Sequence, residues 1–208
     1  DDVMNDQRQV IFSQRLKILK SQNIEEILED FLIEVLNNLE KIRSNYQKSN
    51  DEKSYLASIK STTGNIINDE ELISMGSLNK EQFGKKIKDL YLSKKKERIS
   101  IIGIEENNSL EKKIFLQIID FAWRSHLQYL EQLRQVIGLR SYGQKDPLSE
   151  FKKEAFTLFE GLLEKIKNDV IKFLLNLNIV VSKDDENKEK PKEISSNNKK
   201  VGRNDKCP

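Results

Sequence analysis

Cysteine is almost missing from this 208-residue chain. The one thiol, Cys207, excludes an internal disulfide framework and points to a reducing compartment. Proline occurs three times and glycine eight times, and with 34% charged residues this scarcity of breakers favours long solvated helices. A single histidine, His126, and a single cysteine in the tail leave no material for a Ser/His/Asp or Cys/His catalytic set. No glycine-rich loop is arranged to cradle phosphate. No apolar run reaches the ~18–20 residues that span a bilayer. The longest, from Val170 to Val181, is interrupted by Lys172, Asn176 and Asn178. An excess of one charge is lacking too: 36 basic against 34 acidic residues give a net +2, so no global polyanion surface and no nucleic-acid partner is expected. The opening residues carry no leader pattern, although the chain starts at Asp1, and both ends read as cut.

What remains is helical. Apolar residues make up 37% of the chain, enough for a modest core, and no segment alternates with period two, so the fold class is all-α. Val3 to about Leu19 reads as a polar helix with a broken stripe of Val3, Ile11, Ile18 and Leu19. After a break at Ser21-Gln22-Asn23, the residues Ile24, Ile27, Leu28, Phe31, Leu32, Val35, Leu36 and Leu39 form a clean amphipathic face. Arg43 to Ser54 turns polar and is expected to loop. Shorter helical segments follow at Tyr55–Ile59, Asp69–Met75 and Glu81–Leu92, separated by turn signals at Thr62–Asn65 and Gly76–Asn79. The run Lys94-Lys95-Lys96 reads as a solvated helix end, with attraction to anionic lipid as the weaker option. From Ser182 to Lys200 the composition is that of a disordered linker.

The most informative stretch is Ile118–Asp169. Ile118, Ala122, Leu127, Leu130, Leu133 and Ile137 stripe one helix, which Asn108 and Glu111 could open as a capping box. Phe151, Ala155, Leu158, Leu162, Ile166, Val170 and Phe173 stripe a second, ending near Leu177. Between them Asp146-Pro147 reads as an N-cap followed by proline at the first helical position. So short a connector forces an antiparallel hairpin with Leu139, Arg140, Ser141, Tyr142, Gln144 and Lys145 at its tip. An exposed Tyr142 beside Arg140 and Lys145 would suit gripping a peptide or docking in a cleft; the residue pattern equally allows Tyr142 to fold back on the hairpin. His126, three residues after Trp123, lacks the partners a metal site requires and is expected to pack structurally, with Trp123 as a core anchor. Asp120, Glu131, Glu150 and Glu154 are spread too widely for paired acid–base work and read as solvated or ion-paired. Cys207 alone cannot hold zinc.

At the hairpin the chain resembles the SecA family, the ATP-driven motors of bacterial preprotein translocation. The family's W-x-x-H-L is met by Trp123, His126 and Leu127. Its L-R-x-x-I-x-L-R-x-Y-x-Q-K-D-P is met by Leu133, Arg134, Ile137, Leu139, Arg140, Tyr142, Gln144, Lys145, Asp146 and Pro147. Its E-(Y/F)-K-(R/K)-E-(A/S)-F is met by the seven residues from Glu150 to Phe156. Asp1–Arg15 is similar to the family's entry into a long scaffold helix, and Val201–Pro208 to the start of its zinc-binding tail. Ser141 departs from a common glycine, Leu130-Glu131 from a common Met-Asp and Lys153 from a common arginine.

The resemblance implies a scaffold helix over 1–20, a helical wing over 21–107, a two-helix finger over 108–178, a linker over 179–200 and a truncated zinc motif over 201–208. It implies that Tyr142, with Leu139, Arg140, Gln144 and Lys145, contacts the moving polypeptide and the SecYEG channel, and that Trp123, His126, Asp146 and Pro147 are structural anchors. Cys207 would be only the first ligand of a zinc site completed outside this chain. ATP with Mg and zinc would belong to the parent protein, this segment holding no cofactor and no catalytic residue of its own. Implied partners are SecYEG, unfolded preprotein, SecB through the missing tail, an anionic lipid surface, the other SecA domains and a second parent copy, on the cytoplasmic face of the inner membrane. The alternative from another class is a free-standing helical adaptor that docks through the hairpin tip.

Overall fold

In the computed structural model, residues 2–140 and 146–180 are described. They form seven helices and no strand: α1 (Asp2–Lys20), α2 (Glu25–Ser49), α3 (Glu52–Thr63), α4 (Asp69–Gly76), α5 (Lys80–Ile102), α6 (Ile104–Arg140) and α7 (Pro147–Asn176). The fold is all-α, as the missing period-two pattern requires. Side-chain oxygens of Asp51, Asn68, Asn79 and Asp146 open α3, α4, α5 and α7 by accepting from backbone N–H groups of the first turn. Only Gly103 separates α5 from α6, and its φ of 86° is a conformation that L side chains rarely adopt.

Helices α6 and α7 form the spine. At 37 residues, α6 is about 55 Å long. They run antiparallel: Tyr129 and Leu158 line one groove, His126 and Phe159 are ring neighbours, and Ile118 lies near Phe173. Helix α1 lies along α6 in the opposite sense, with Gln7 at His126, Arg15 at Asp120, and Lys112 reaching the carbonyls of Leu19 and Ser21. Helices α2, α3 and α5 pack on the open end of the hairpin, and α4 rests on α2 and α3. Helix α2 meets α7 through Asn38–Glu164 and the close Lys167–Glu34 pair, and α3 meets it through Asn176 and Lys172. One continuous core joins both regions, from Ile11 and Ile18 through Leu32, Phe83 and Phe115 to Ile166 and Leu174.

Several expectations are corrected. The loop placed over Arg43–Ser54 is helix up to Ser49, leaving Asn50-Asp51 as the turn. Its polar residues have tertiary partners: Arg43 grips Glu40 and the Leu78 carbonyl, Gln47 reaches the Gly76 carbonyl, and Tyr46 stacks on Tyr55. Lys94-Lys95-Lys96 lies inside α5 rather than at its end, with Lys94 paired to Glu97 and Lys95 to Glu25. Asn108 and Glu111 open nothing, because α6 already begins at Ile104 and Glu111 is buried. Leu19, Leu158 and Phe173 are exposed, their places in the core taken by Ile18, Phe159 and Leu174.

Candidate functional site

The hairpin stands on two buried polar nodes. At mid-length, Trp123 packs at the edge of the core while His126, 4% exposed, lies one turn further along α6. Their rings are 5.6 Å apart, and Phe159 of α7 faces His126 at 5.8 Å. Gln7 of α1 closes the node. Its Nε2 donates to the Ala155 carbonyl at 3.0 Å, and its Oε1 lies 2.8 Å from His126 Nε2. Because the Gln7 amide nitrogen is committed to a carbonyl, the oxygen must accept, so Nε2 of the imidazole carries the proton. Burial holds the His126 pKa below its ordinary value, favouring the neutral ring this bond needs. One glutamine side chain thus ties three helices.

The second node lies at the open end. Arg98 of α5 donates to Asn107 and Glu111 of α6 and to the Leu174 carbonyl of α7. Between the nodes the hairpin is held by apolar stripes, with Phe115, Ile119, Ala122, Leu162, Ile166 and Val170 buried. Asp120, expected to be solvated or ion-paired, is bound by Arg15 at 3.0 Å.

Toward the tip the character changes. Between Leu130 and Ile137 of α6 no residue is buried, and none of Pro147 to Glu154 of α7 is. Asp146 caps α7 as expected, accepting from the N–H groups of Ser149 and Leu148 and from the Ser149 hydroxyl, with Pro147 at the first helical position. These bonds hold the Asp146 carboxyl below its ordinary pKa. Ser141, Tyr142, Gln144 and Lys145 lie outside the described residues, as does Cys207. Leu139 and Arg140 end α6, and their side chains also fall outside. An open groove of about 270 Å³ runs along the hairpin, lined by Phe121, His126, Tyr129, Leu158 and Gly161 among others. Phe121 and Tyr129 are exposed there.

Among the described residues no three His, Cys, Asp or Glu side chains are grouped to hold a metal ion, and no helix is long and apolar enough to cross a membrane. What the geometry offers is two long helices braced at the base and at mid-length, with no buried position at 131–136 and 147–154. Sequence reasoning missed Gln7 and Arg98, because a polar residue in a polar helix gives no signal of burial. Glu111 was noticed for its spacing but assigned to a cap.

Residues 1–178 match the family described as the SecA wing and scaffold domain. Protein translocase subunit SecA of Pelagibacter ubique is 42% identical over the whole chain, which covers 25% of that relative. The same subunit of Hyphomonas neptunium is 35% identical over 86% of the chain and 20% of the relative. That of Syntrophomonas wolfei is 33% identical over the whole chain and 26% of the relative. The chain therefore spans about a quarter of the length of these relatives.

Proposed function

This chain belongs to the SecA wing and scaffold family, and from that premise we propose that it is the segment of a protein translocase that contacts and moves the translocated polypeptide. The carrying observation is the hairpin of α6 and α7, braced by Gln7 at mid-length and by Arg98 at its open end, while its outer stretches 131–136 and 147–154 contain no buried position. Such an arm resists bending where it is braced and presents its tip to whatever lies in front. In this reading residues 1–20 are the scaffold helix, 21–107 the wing, and 108–178 the two-helix finger, followed by a linker over 179–200 and the start of a zinc motif over 201–208.

Tyr142 is the tip contact, flanked by Leu139, Arg140, Gln144 and Lys145. An aromatic ring beside cationic groups grips an extended chain without regard to its sequence, through apolar contact and hydrogen bonds to its backbone. The channel in front of the tip is SecYEG, and the cargo is an unfolded preprotein. ATP and Mg are handled by domains of the parent protein, and Cys207 supplies the first zinc ligand of a tail that would engage SecB. The segment works at the cytoplasmic face of the inner membrane, beside anionic lipid.

The test is Tyr142→Ser in the full-length protein that carries this chain, assayed for ATP-dependent uptake of a preprotein by inverted membrane vesicles. Uptake is expected to fall by roughly tenfold or more, the loss typical of one aromatic anchor, while the helical circular dichroism stays unchanged. Uptake at the unsubstituted rate would refute the tip contact and leave an adaptor role for the hairpin.

A further inference from the structure

A single side chain joins three helices at the open end of the hairpin. Arg98 is 2% exposed and is among the largest fully buried side chains. Its Nη1 donates to the Leu174 carbonyl at 2.7 Å, its Nη2 to Glu111 Oε1 at 3.0 Å, and its Nε to Asn107 Oδ1 at 3.2 Å. Leu174 lies in the last turn of α7, where carbonyls have no partner within the helix. The guanidinium therefore caps α7 at the negative end of its dipole. Asn107 and Glu111 belong to the first two turns of α6, and the Asn107 N–H returns to the carbonyl of Gly103, the only residue between α5 and α6. The planar fork of arginine spreads its donors over three nitrogens and so reaches three well-separated acceptors, whereas the three donors of lysine radiate from one nitrogen.

Apolar packing alone would hold these helices together, and a buried ion pair often adds little to stability over such packing. What the pair supplies here is direction, because each donor fixes the position of one helix relative to α5. The same end of α7 is also tied to α3, by Asn176 Nδ2 on the Thr63 carbonyl at 2.8 Å and Lys172 Nζ on the Ser61 carbonyl at 3.0 Å. Toward the outer hairpin burial falls away, and 131–136 and 147–154 contain no buried position.

We infer that Arg98 fixes the register between the wing helices and the open end of the hairpin, so that α3, α5 and the last turns of α7 move as one rigid body. Bending of the hairpin is then confined to the stretch beyond His126 and Ala155. Where the hairpin is the moving arm proposed above, the wing is carried with it instead of swinging on it; the structural claim itself does not depend on that reading.

The experiment is native-state amide hydrogen exchange, read by mass spectrometry in graded urea, on the full-length protein that carries this chain. In the unsubstituted protein, amides of 91–102 and of 170–176 are expected to open together, with one denaturant dependence. Amides of 131–136 and 147–154 are expected to open in a separate and easier step. Arg98→Met combined with Glu111→Leu removes both charges at similar volume. It should split the joint opening and speed exchange at 170–176 by about tenfold or more. Arg98→Lys should split it as well, and it supplies the reading if the double variant fails to fold. Separate openings in the unsubstituted protein, or one joint opening that survives Arg98→Lys, would overturn the inference. These amide readouts do not involve translocation, so a failure at Tyr142 and a failure here are told apart.

Discussion

Replacing Gln7 by alanine should release the mid-length brace of the hairpin. Gln7 is 6% exposed, and its amide makes two buried bonds, to the Ala155 carbonyl and to His126 Nε2. A hydrogen bond contributes about 1 kcal/mol net, and a buried donor left without a partner costs about 1–3 kcal/mol. The two losses are unequal. Within α7 the Ala155 carbonyl still faces the Phe159 N–H in the helical ladder, so it is not orphaned. The His126 N–H, in contrast, keeps no partner, and water reaches a buried ring poorly. The removed methylenes add a small cavity term. The total comes to about 2–4 kcal/mol.

The assay is urea unfolding of the 208-residue chain followed by helical circular dichroism, comparing Gln7→Ala, His126→Ala and the double variant. The midpoint should fall with an unchanged slope, since the surface exposed on unfolding is the same. The double variant should cost less than the sum of the singles by at least about 0.5 kcal/mol, because both remove the same bond. A loss below about 0.5 kcal/mol for Gln7→Ala, the range of a plain surface substitution, would refute the brace. Strict additivity would refute the bond between Gln7 and His126 in particular.

Two glycines on helices should respond with opposite sign. Gly161 faces open space in the hairpin groove, so Gly161→Ala should stabilise by about 0.5–1 kcal/mol, whereas at Gly76 an added Cβ would meet the Tyr46 ring at 2.6 Å and Gly76→Ala should destabilise; the same urea assay reads both. The burial of His126 also sets a pH dependence. Its folded pKa lies below the unfolded value of about 6.5, so between the two the unfolded chain binds the extra proton. Stability should therefore be flat above about pH 6.5 and fall as pH drops below it, and a pH series of midpoints should show this fall in the native chain but not in His126→Gln. Equal slopes in the two chains would place the titration elsewhere.

How much of this was legible beforehand depended on whether a residue's role is local. The hairpin could be read because its two stripes repeat at helical spacing and because Asp146-Pro147 is a local start signal whose cap bonds span only three residues. The extension of α2 through Arg43–Ser49 could not, since its polar residues look solvated until Leu78 and Gly76 are brought against them from more than 25 residues away. Nor could the exact buried face of α7. That helix is packed against α1, α2, α3, α5 and α6, so several flanks are covered and the neighbours decide between Phe159 and Leu158 or between Leu174 and Phe173. The tip residues Tyr142, Gln144 and Lys145 were legible as a pattern only, and they lie outside the described residues.

By itself the sequence determined the helical class, the antiparallel hairpin and the family, because periodicity, caps and motif spacing are carried by residues close together in the chain. Only the tertiary structure decided what braces that hairpin. Gln7 meets Ala155 across 148 residues and Arg98 meets Leu174 across 76. A polar side chain gives no sign in its own segment that its partner will arrive from so far away, and burial, which makes each of those bonds count, exists only once the helices have packed.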